Sequence, residues 1–386
     1  MSEWKKVKLG NCTTIKTGKL DSNAAVDNGL YPFFTCDPNT LRINEWAYDT
    51  EAILLAGNNA SGNYTAKYYN GKFNAYQRTY IIESKNSNSL SVKFLAYAMN
   101  LQLRLLKVMS SGSTTKFITM KMLTGLDIPI PSIEVQHRIA TILSRYDSLI
   151  ENYQKQIKLL EESAQRLYKE WFIDLRFPGH ENTKIVDGVP EGWEKNTIND
   201  VCTLITSGST PSRNKNSYWE DGTIRWAKTK ELLDSWILDT EEYITQEGYN
   251  NSSTKLFPAN TILMAIYASP TLGRLGILSA ECCCNQAALG LIADEKVISW
   301  QWLFWKLYEL RDEFNAIARG AGQQNISGIV VKNKEIVIPA KRVIDGFTSV
   351  VSTMFEQQKN LQLQIRILTE ARDRLLPKLM SGEINV

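Results

Sequence analysis

The sequence predicts an α+β chain: two tandem mixed α/β units joined by two long antiparallel helices that form a coiled coil, with a pseudo-twofold relation between the halves. Three observations predict this. The chain contains an internal repeat, each copy ends in a long apolar heptad pattern, and short strand-like runs occur only outside that pattern. Shifting the sequence by 208 residues places Leu95 on Leu303, Gly112 on Gly320, Ile118 on Ile326, Ile130-Pro131 on Ile338-Pro339 and Leu160 on Leu368. Upstream, Trp4, Cys12 and Gly18 match Trp193, Cys202 and Gly208 at an offset of 189–190, so the second copy carries 18 to 19 extra residues between the two blocks.

The shared C-terminal part of each copy reads as a long helix. No Pro or Gly interrupts Glu134 to Trp171. Ile139, Tyr146, Tyr153, Leu160 and Leu167 recur every seven residues, and Leu143, Ile150, Ile157, Ala164 and Trp171 form a second series four positions on. That is the a/d seam of a coiled coil. In the second copy the seam runs through Phe347, Met354, Leu361, Leu368 and Leu375, while polar Gln358 and Arg372 interrupt the companion series of Val351, Ile365 and Leu379. Pro377 is expected to end or kink this helix. Each helix would be roughly 57 Å long, about 17 base pairs of duplex rise. Neither can bury its seam alone, so each is the simplest partner for the other.

The remaining segments are mixed. Strands are expected at Ala52–Leu55, Tyr76–Ile82, Thr261–Ile266 and Leu289–Ala293, and an amphipathic helix before each coiled coil, at Val92–Met109 and Ser299–Ala318. A Gly/Pro-rich linker runs from Phe177 to Gly192. The division expected is a first globular domain at 1–131, a long helix at 132–178, a second globular domain at 179–339 and a second long helix at 340–386.

Composition excludes several classes. The 386 residues carry 44 Lys and Arg against 41 Asp and Glu, a formal net charge of +3, too balanced for a polybasic protein. No run of 18 apolar residues exists and the start lacks the apolar core of a secretory signal, so no membrane contact and a cytoplasmic location are expected. The six Cys and two His show no zinc-ligand spacing. No phosphate loop, H-E-x-x-H or G-x-S-x-G motif occurs. The chain therefore reads as non-catalytic, with no metal and no cofactor of its own.

Several stretches resemble the specificity (S) subunits of type I restriction-modification systems. GLYPFFTC (Gly29–Cys36), EAILLAGN (Glu51–Asn58) and GKFNAYQRTY (Gly71–Tyr80) look like one target-recognition domain, and SGSTPS (Ser207–Ser212), GTIRWAK (Gly222–Lys228) and NQAA (Asn285–Ala288) like another. GSTTKFIT (Gly112–Thr119) and GAGQQNIS (Gly320–Ser327) resemble the loop that precedes each conserved helix. Where the family often has an adjacent Glu-Gln pair, Val135 here separates Glu134 from Gln136. The resemblance implies an adaptor that reads double-stranded DNA. Each recognition domain would read one half of a split, asymmetric target, and the paired helices would set the unread spacer. Its partners would be two modification (methyltransferase) subunits bringing S-adenosylmethionine, and restriction (motor-nuclease) subunits bringing ATP and Mg. Two rivals stay open: the specificity subunit of a two-chain type II enzyme, and a coiled-coil scaffold that binds no DNA.

Base reading needs Arg, Lys, Asn or Gln at base edges. The candidates in the first domain are Asn58, Asn59, Tyr64, Lys67, Gln77 and Arg78, and in the second Thr210, Arg213, Lys215, Lys228, Lys230, Tyr267, Arg274 and Gln286. Lys116 in the polar loop of the first domain, and Gln323 and Gln324 in that of the second, suit phosphate contacts, which position without specifying. Four groups have a plainer alternative: Asn58-Asn59 as a turn, Gln77-Arg78 as a solvated strand face, Arg213–Lys215 as a surface loop, Asn285-Gln286 as the cap of an interior strand. Trp302 and Trp305, at helical spacing, read as core.

Overall fold

The computed structural model describes residues 4–58, 64–109, 117–267, 271–320 and 325–386. They form two compact units, one of residues 1–150 with 367–386 and one of residues 151–366. The division cuts through both long helices, so each unit keeps one end of each.

Unit one is built on a six-stranded sheet in the order Thr13–Thr17, Thr79–Ser84, Tyr48–Ala56, Ala66–Ala75, Tyr31–Phe34, Leu41–Ile43. All pairings are antiparallel except that of Tyr31–Phe34 with the end of Ala66–Ala75. The run AILLA is apolar throughout because both faces of the sheet are covered. Ile53 and Leu55 belong to one core cluster with Phe94, Leu95 and Met99 of the helix Val92–Met109. Ala52 and Leu54 point the other way, into a cluster with Phe34 and Phe73. Outside this sheet, Lys5–Lys8 pairs with Asp127–Ile130, the strand that leads into the first long helix.

Unit two repeats the frame. Its five-stranded sheet runs Cys202–Ser207, Ala288–Ala293, Ile262–Ala265, Leu275–Leu278, Ser235–Ile237, beside a three-stranded sheet of Glu242–Ile244, Ile224–Ala227 and Cys283–Cys284. Glu194–Thr197 pairs with Glu335–Ile338, and the partners Lys5↔Ile130 and Glu194↔Ile338 stand at the two sequence offsets, 189 and 208. The unbroken strand Ala66–Ala75 of unit one corresponds to two short ones in unit two, Leu275–Leu278 and Cys283–Cys284, and the additional strand Ser235–Ile237 falls in the extra residues of the second copy. The three adjacent cysteines are buried there with free thiols, as small apolar side chains.

The first long helix spans Ile133–Tyr168 and the second Lys341–Met380. In unit one, Ile139 and Leu143 of the first share a core cluster with Leu376, Leu379 and Met380 of the second. In unit two, Tyr168 lies 6.1 Å from Phe347, ring to ring, and Phe347 also meets Trp171 and Phe172. Start packs against end in both units, so the helices run antiparallel. Of the expected seam residues, Ile139, Leu143, Ala164, Phe347, Val351 and Leu379 are fully buried. Tyr146, Tyr153, Leu160, Leu167, Met354, Leu361, Leu368 and Leu375 are half-buried. Phe355 and Leu376, one residue beyond the strict repeat, are buried as well. A straight helix drifts by about 20° per heptad against a 3.5-residue seam, and here the globular parts cover the shifted stripe. Arg372, a charge at a seam position, bonds Asp147 at 2.7 Å, and Asp147 also accepts from the Tyr97 hydroxyl. Burial and that carboxylate push the Tyr97 phenol well up.

Four expectations need correction. The helix expected at Ser299–Ala318 is two, Trp300–Glu309 and Arg311–Gly320. It breaks at Leu310, where the Arg311 guanidinium is drawn onto Asp234 and the Gly273 carbonyl. The second long helix continues through Pro377 for three further residues, because buried Leu376, Leu379 and Met380 hold its last turn in the unit-one core. The first long helix ends at Tyr168 and passes into a wider turn at Lys169–Ile173. Gln77 and Arg78 do not lie in a strand; they form the tight turn between Ala66–Ala75 and Thr79–Ser84.

Candidate nucleic-acid interface

Both units build the same polar edge from three chain segments. The first is the turn before the strand Thr79–Ser84 or Ala288–Ala293. Thr79 N–H donates to the Tyr76 carbonyl at 2.8 Å, and Ala288 N–H to the Asn285 carbonyl at 3.2 Å. The second is the hairpin tip that follows Tyr48–Ala56 or Ile262–Ala265, tied to that turn by Gly57 N–H to the Arg78 carbonyl (2.8 Å) and Ile266 N–H to the Ala287 carbonyl (2.9 Å). The third is the segment preceding the conserved strand and long helix, joined to the tip by the bridges Asn58↔Phe117 and Tyr267↔Asn325. A Cβ on Gly18 would stand 2.0 Å from the Ala75 carbonyl oxygen, and one on Gly208 2.0 Å from that of Cys284. Only glycine allows the chain to pass so close at either place.

The edge gathers many of the expected residues. In unit one, Asn58 and Tyr64 flank the hairpin tip, and Gln77 and Arg78 are exposed in the adjoining turn. Arg78 makes no side-chain hydrogen bond or ion pair with the described residues. Lys67 lines a cavity of about 350 Å³ with Thr35, Asp37 and Thr65, and its ammonium donates to the Pro38 carbonyl at 2.6 Å. Burial pushes the Lys67 ammonium down, against the pull of Asp37. In unit two, Gln286 occupies the position of Gln77 and bonds Thr210, while Tyr267 is exposed and Arg274 half-buried at the hairpin tip. Asn59, Lys116, Gln323 and Gln324 lie outside the described residues, as does most of the polar loop before each long helix.

Four expected contacts of unit two are held elsewhere. Arg213 stacks 3.5 Å over the Trp219 ring and pairs with Glu242 at 2.6 Å. Lys228 lies between Glu241 and Glu242, at 3.2 and 2.6 Å, and Lys230 pairs with Glu241 at 2.5 Å. Burial works to raise the Glu242 carboxyl, but Lys228 and Arg213 hold it below the usual carboxylate range. These cations neutralise the acidic pair Glu241 and Glu242, which lies 11 to 29 residues further along the chain. Lys215 donates to the Tyr218 hydroxyl at 2.9 Å. Trp302 and Trp305 are core, 1% and 5% exposed. Gln136 is fully buried: it receives Ser91 N–H at 2.9 Å and donates to the Ser89 and Pro131 carbonyls at 3.0 and 2.9 Å, locking the start of the long helix onto unit one.

Among the described residues no cluster of His, Cys, Asp and Glu could hold a metal ion, and no helix is long and apolar enough to cross a membrane. The family model of the type I restriction modification DNA specificity domain matches residues 1–162 and again 190–364. The chain belongs to the type I restriction-modification DNA specificity family. Its function is that of the DNA-specificity subunit of such a system. The MjaIX specificity subunit of Methanocaldococcus jannaschii is 30% identical over 289 residues, which span 73% of this chain and 66% of that relative, just under two thirds. The EcoDI specificity subunit of Escherichia coli is 27% identical over 420 residues, 99% of this chain and 89% of that one. The fold matches the crystal structure of a type I S subunit from M. genitalium with a TM-score of 0.65 at 17% identity, over 97% of this chain and 96% of the other. Arg78 is an exposed cation on the edge of unit one. Replacing Arg78 with Ala is expected to cost about 1–3 kcal/mol of discrimination at one base pair. Sequencing the methylated motif reads this out. An unchanged motif at normal protein levels would make Arg78 a surface residue.

Proposed function

We propose that this specificity chain is a non-catalytic cytoplasmic DNA reader in which each unit recognises one part of a split, asymmetric target. The supporting observation is the polar edge built twice on one backbone frame, with a glutamine shared at one turn position (Gln77, Gln286) and different side chains at the next, Arg78 in unit one and Ala287 in unit two. A frame repeated with altered contact residues suits two readers of different sequences, since phosphate contacts position a protein and base contacts specify the site. The recognition domains are assigned to 1–131 and 179–339. The long helices at 132–178 and 340–386 would set the unread spacer and carry two modification subunits, which supply S-adenosylmethionine, and the restriction subunits, which supply ATP and Mg.

Filter binding with mixed-sequence duplex DNA tests the reading. The purified chain is expected to retain duplex at low salt with affinity falling as salt rises, and to turn over neither S-adenosylmethionine nor ATP by itself. Failure to retain any duplex would favour a protein scaffold, and turnover by the chain alone would overturn the non-catalytic assignment.

A further inference from the structure

We propose that Gln77 and Gln286 are paired base-reading residues, one per unit, and that Asp21 and Thr210 are the positioning residues that aim them. The inference rests on the DNA-reading function above and assigns it to particular side chains.

Gln77 and Gln286 are the second residues of equivalent turns. Each turn is fixed by an N–H that it donates to a carbonyl of the neighbouring strand: Tyr76 N–H to the Phe34 carbonyl at 2.9 Å, and Asn285 N–H to the Ala227 carbonyl at 3.0 Å. Both glutamines are exposed at the polar edge. An exposed glutamine ordinarily samples many rotamers, and freezing it on DNA costs side-chain entropy. Here each is already held. Gln77 Nε2 donates to Asp21 Oδ1 at 2.7 Å, and the Thr210 hydroxyl bonds Gln286 Oε1 at 2.5 Å. Asp21 and Thr210 come from the same place in the two units, the loop that follows the crowded Gly18 or Gly208. The side chains differ and the constraint recurs.

The chemistry left over is what a base reader needs. A glutamine reads adenine by accepting from N6–H and donating to N7 along one edge of its amide. Asp21, an acceptor only, takes one Nε2 hydrogen and so fixes which way the Gln77 amide faces. Oε1 and the second N–H stay free. In unit two Thr210 occupies one lone pair of Oε1, and the other lone pair with both N–H groups of Gln286 stays free. Each amide therefore keeps an acceptor and a donor available in a preset orientation, which lowers the cost of binding the correct base.

The test uses the chain with its modification subunits, without restriction subunits, in a host whose methylated positions are sequenced. Gln77→Ala and Asp21→Ala are expected to relax the same single position in one half of the target, with discrimination falling about tenfold or more. Gln286→Ala and Thr210→Val should relax a single position in the other half. Asp21→Glu and Thr210→Ser, which keep an acceptor-only carboxylate and the hydroxyl, should retain the original motif. The untouched half-target serves in each case as the measure that the chain folds and assembles. Thr210→Val preserves side-chain volume, so it decides the matter if Asp21→Ala lowers protein levels. If both glutamine variants kept the original motif while exchange of a whole recognition domain still changed one half, the glutamines would not be readers although the two-reader function stood. If the glutamine variants relaxed a position that Asp21→Ala and Thr210→Val left strict, the positioning role would be wrong.

Discussion

Inserting two residues after Lys155 and two more after Gln364 is expected to abolish specific methylation. These points lie eight residues along from Asp147 and eight back from Arg372, which are ion-paired at 2.7 Å, so the insertions fall at matching levels of the two helices. Both positions are exposed, which spares the core; an insertion at Ser163 would instead displace buried Ala164 and Tyr168. Two residues turn a helix by about 200° and advance it by about 3 Å. Every apolar position beyond the insertion then faces the wrong way. Four residues turn it by about 400°, close to full phase, and advance it by about 6 Å. The four-residue variant should keep both half-targets and recognise a spacer one or two base pairs longer, given about 3.4 Å of rise per pair. Sequencing the methylated motif separates the outcomes. A four-residue variant that recognised the original spacer would show that the helices do not set it.

Phe347→Ala is expected to cost about 3–5 kcal/mol of stability. Phe347 has no exposed surface and sits among the rings of Tyr168, Trp171 and Phe172, at 6.1, 6.2 and 5.1 Å. Its truncation leaves a cavity where the end of the first long helix meets the start of the second. Residues 151–366 number 216, and in a domain of that size each kcal/mol lowers Tm by about 2–4 °C. Calorimetry on the full chain should therefore show a loss on the order of 10 °C. Val350→Ala, on the exposed side of the same helix, should stay within about 0.5 kcal/mol of the parent. Equal losses from the two substitutions would mean that the helix termini are not anchored by this ring cluster.

What could be read from the sequence follows the range of the forces involved. The helix Val92–Met109 and both long helices are written in local periodicity, and each formed close to the expected bounds. The break at Leu310 depends on an ion pair between Arg311 and Asp234, 77 residues away, and no local pattern encodes it. Pro377 reads locally as a stop, yet long-range burial of Leu379 and Met380 carries the helix past it. The same logic divides the candidate edge. Gln77, Arg78, Thr210 and Gln286 were visible as residue types suited to base edges. Asp21, 56 residues before Gln77, had no signal of its own. Lys228 and Lys230 read as candidate base contacts, but the fold places Glu241 and Glu242 beside them.

Domain exchange followed by methylome sequencing tests the central claim most directly. Residues 1–131 would be replaced by the matching domain of another family member, and the complete complex, assembled on the exchanged chain, would be placed in a host. The exchanged segment carries Gln77, Arg78 and the rest of the unit-one edge, and leaves both long helices in place. The account predicts a motif with one half-target replaced, the other half-target retained and the spacer length kept. A motif altered in both halves, or in the spacer, would contradict it.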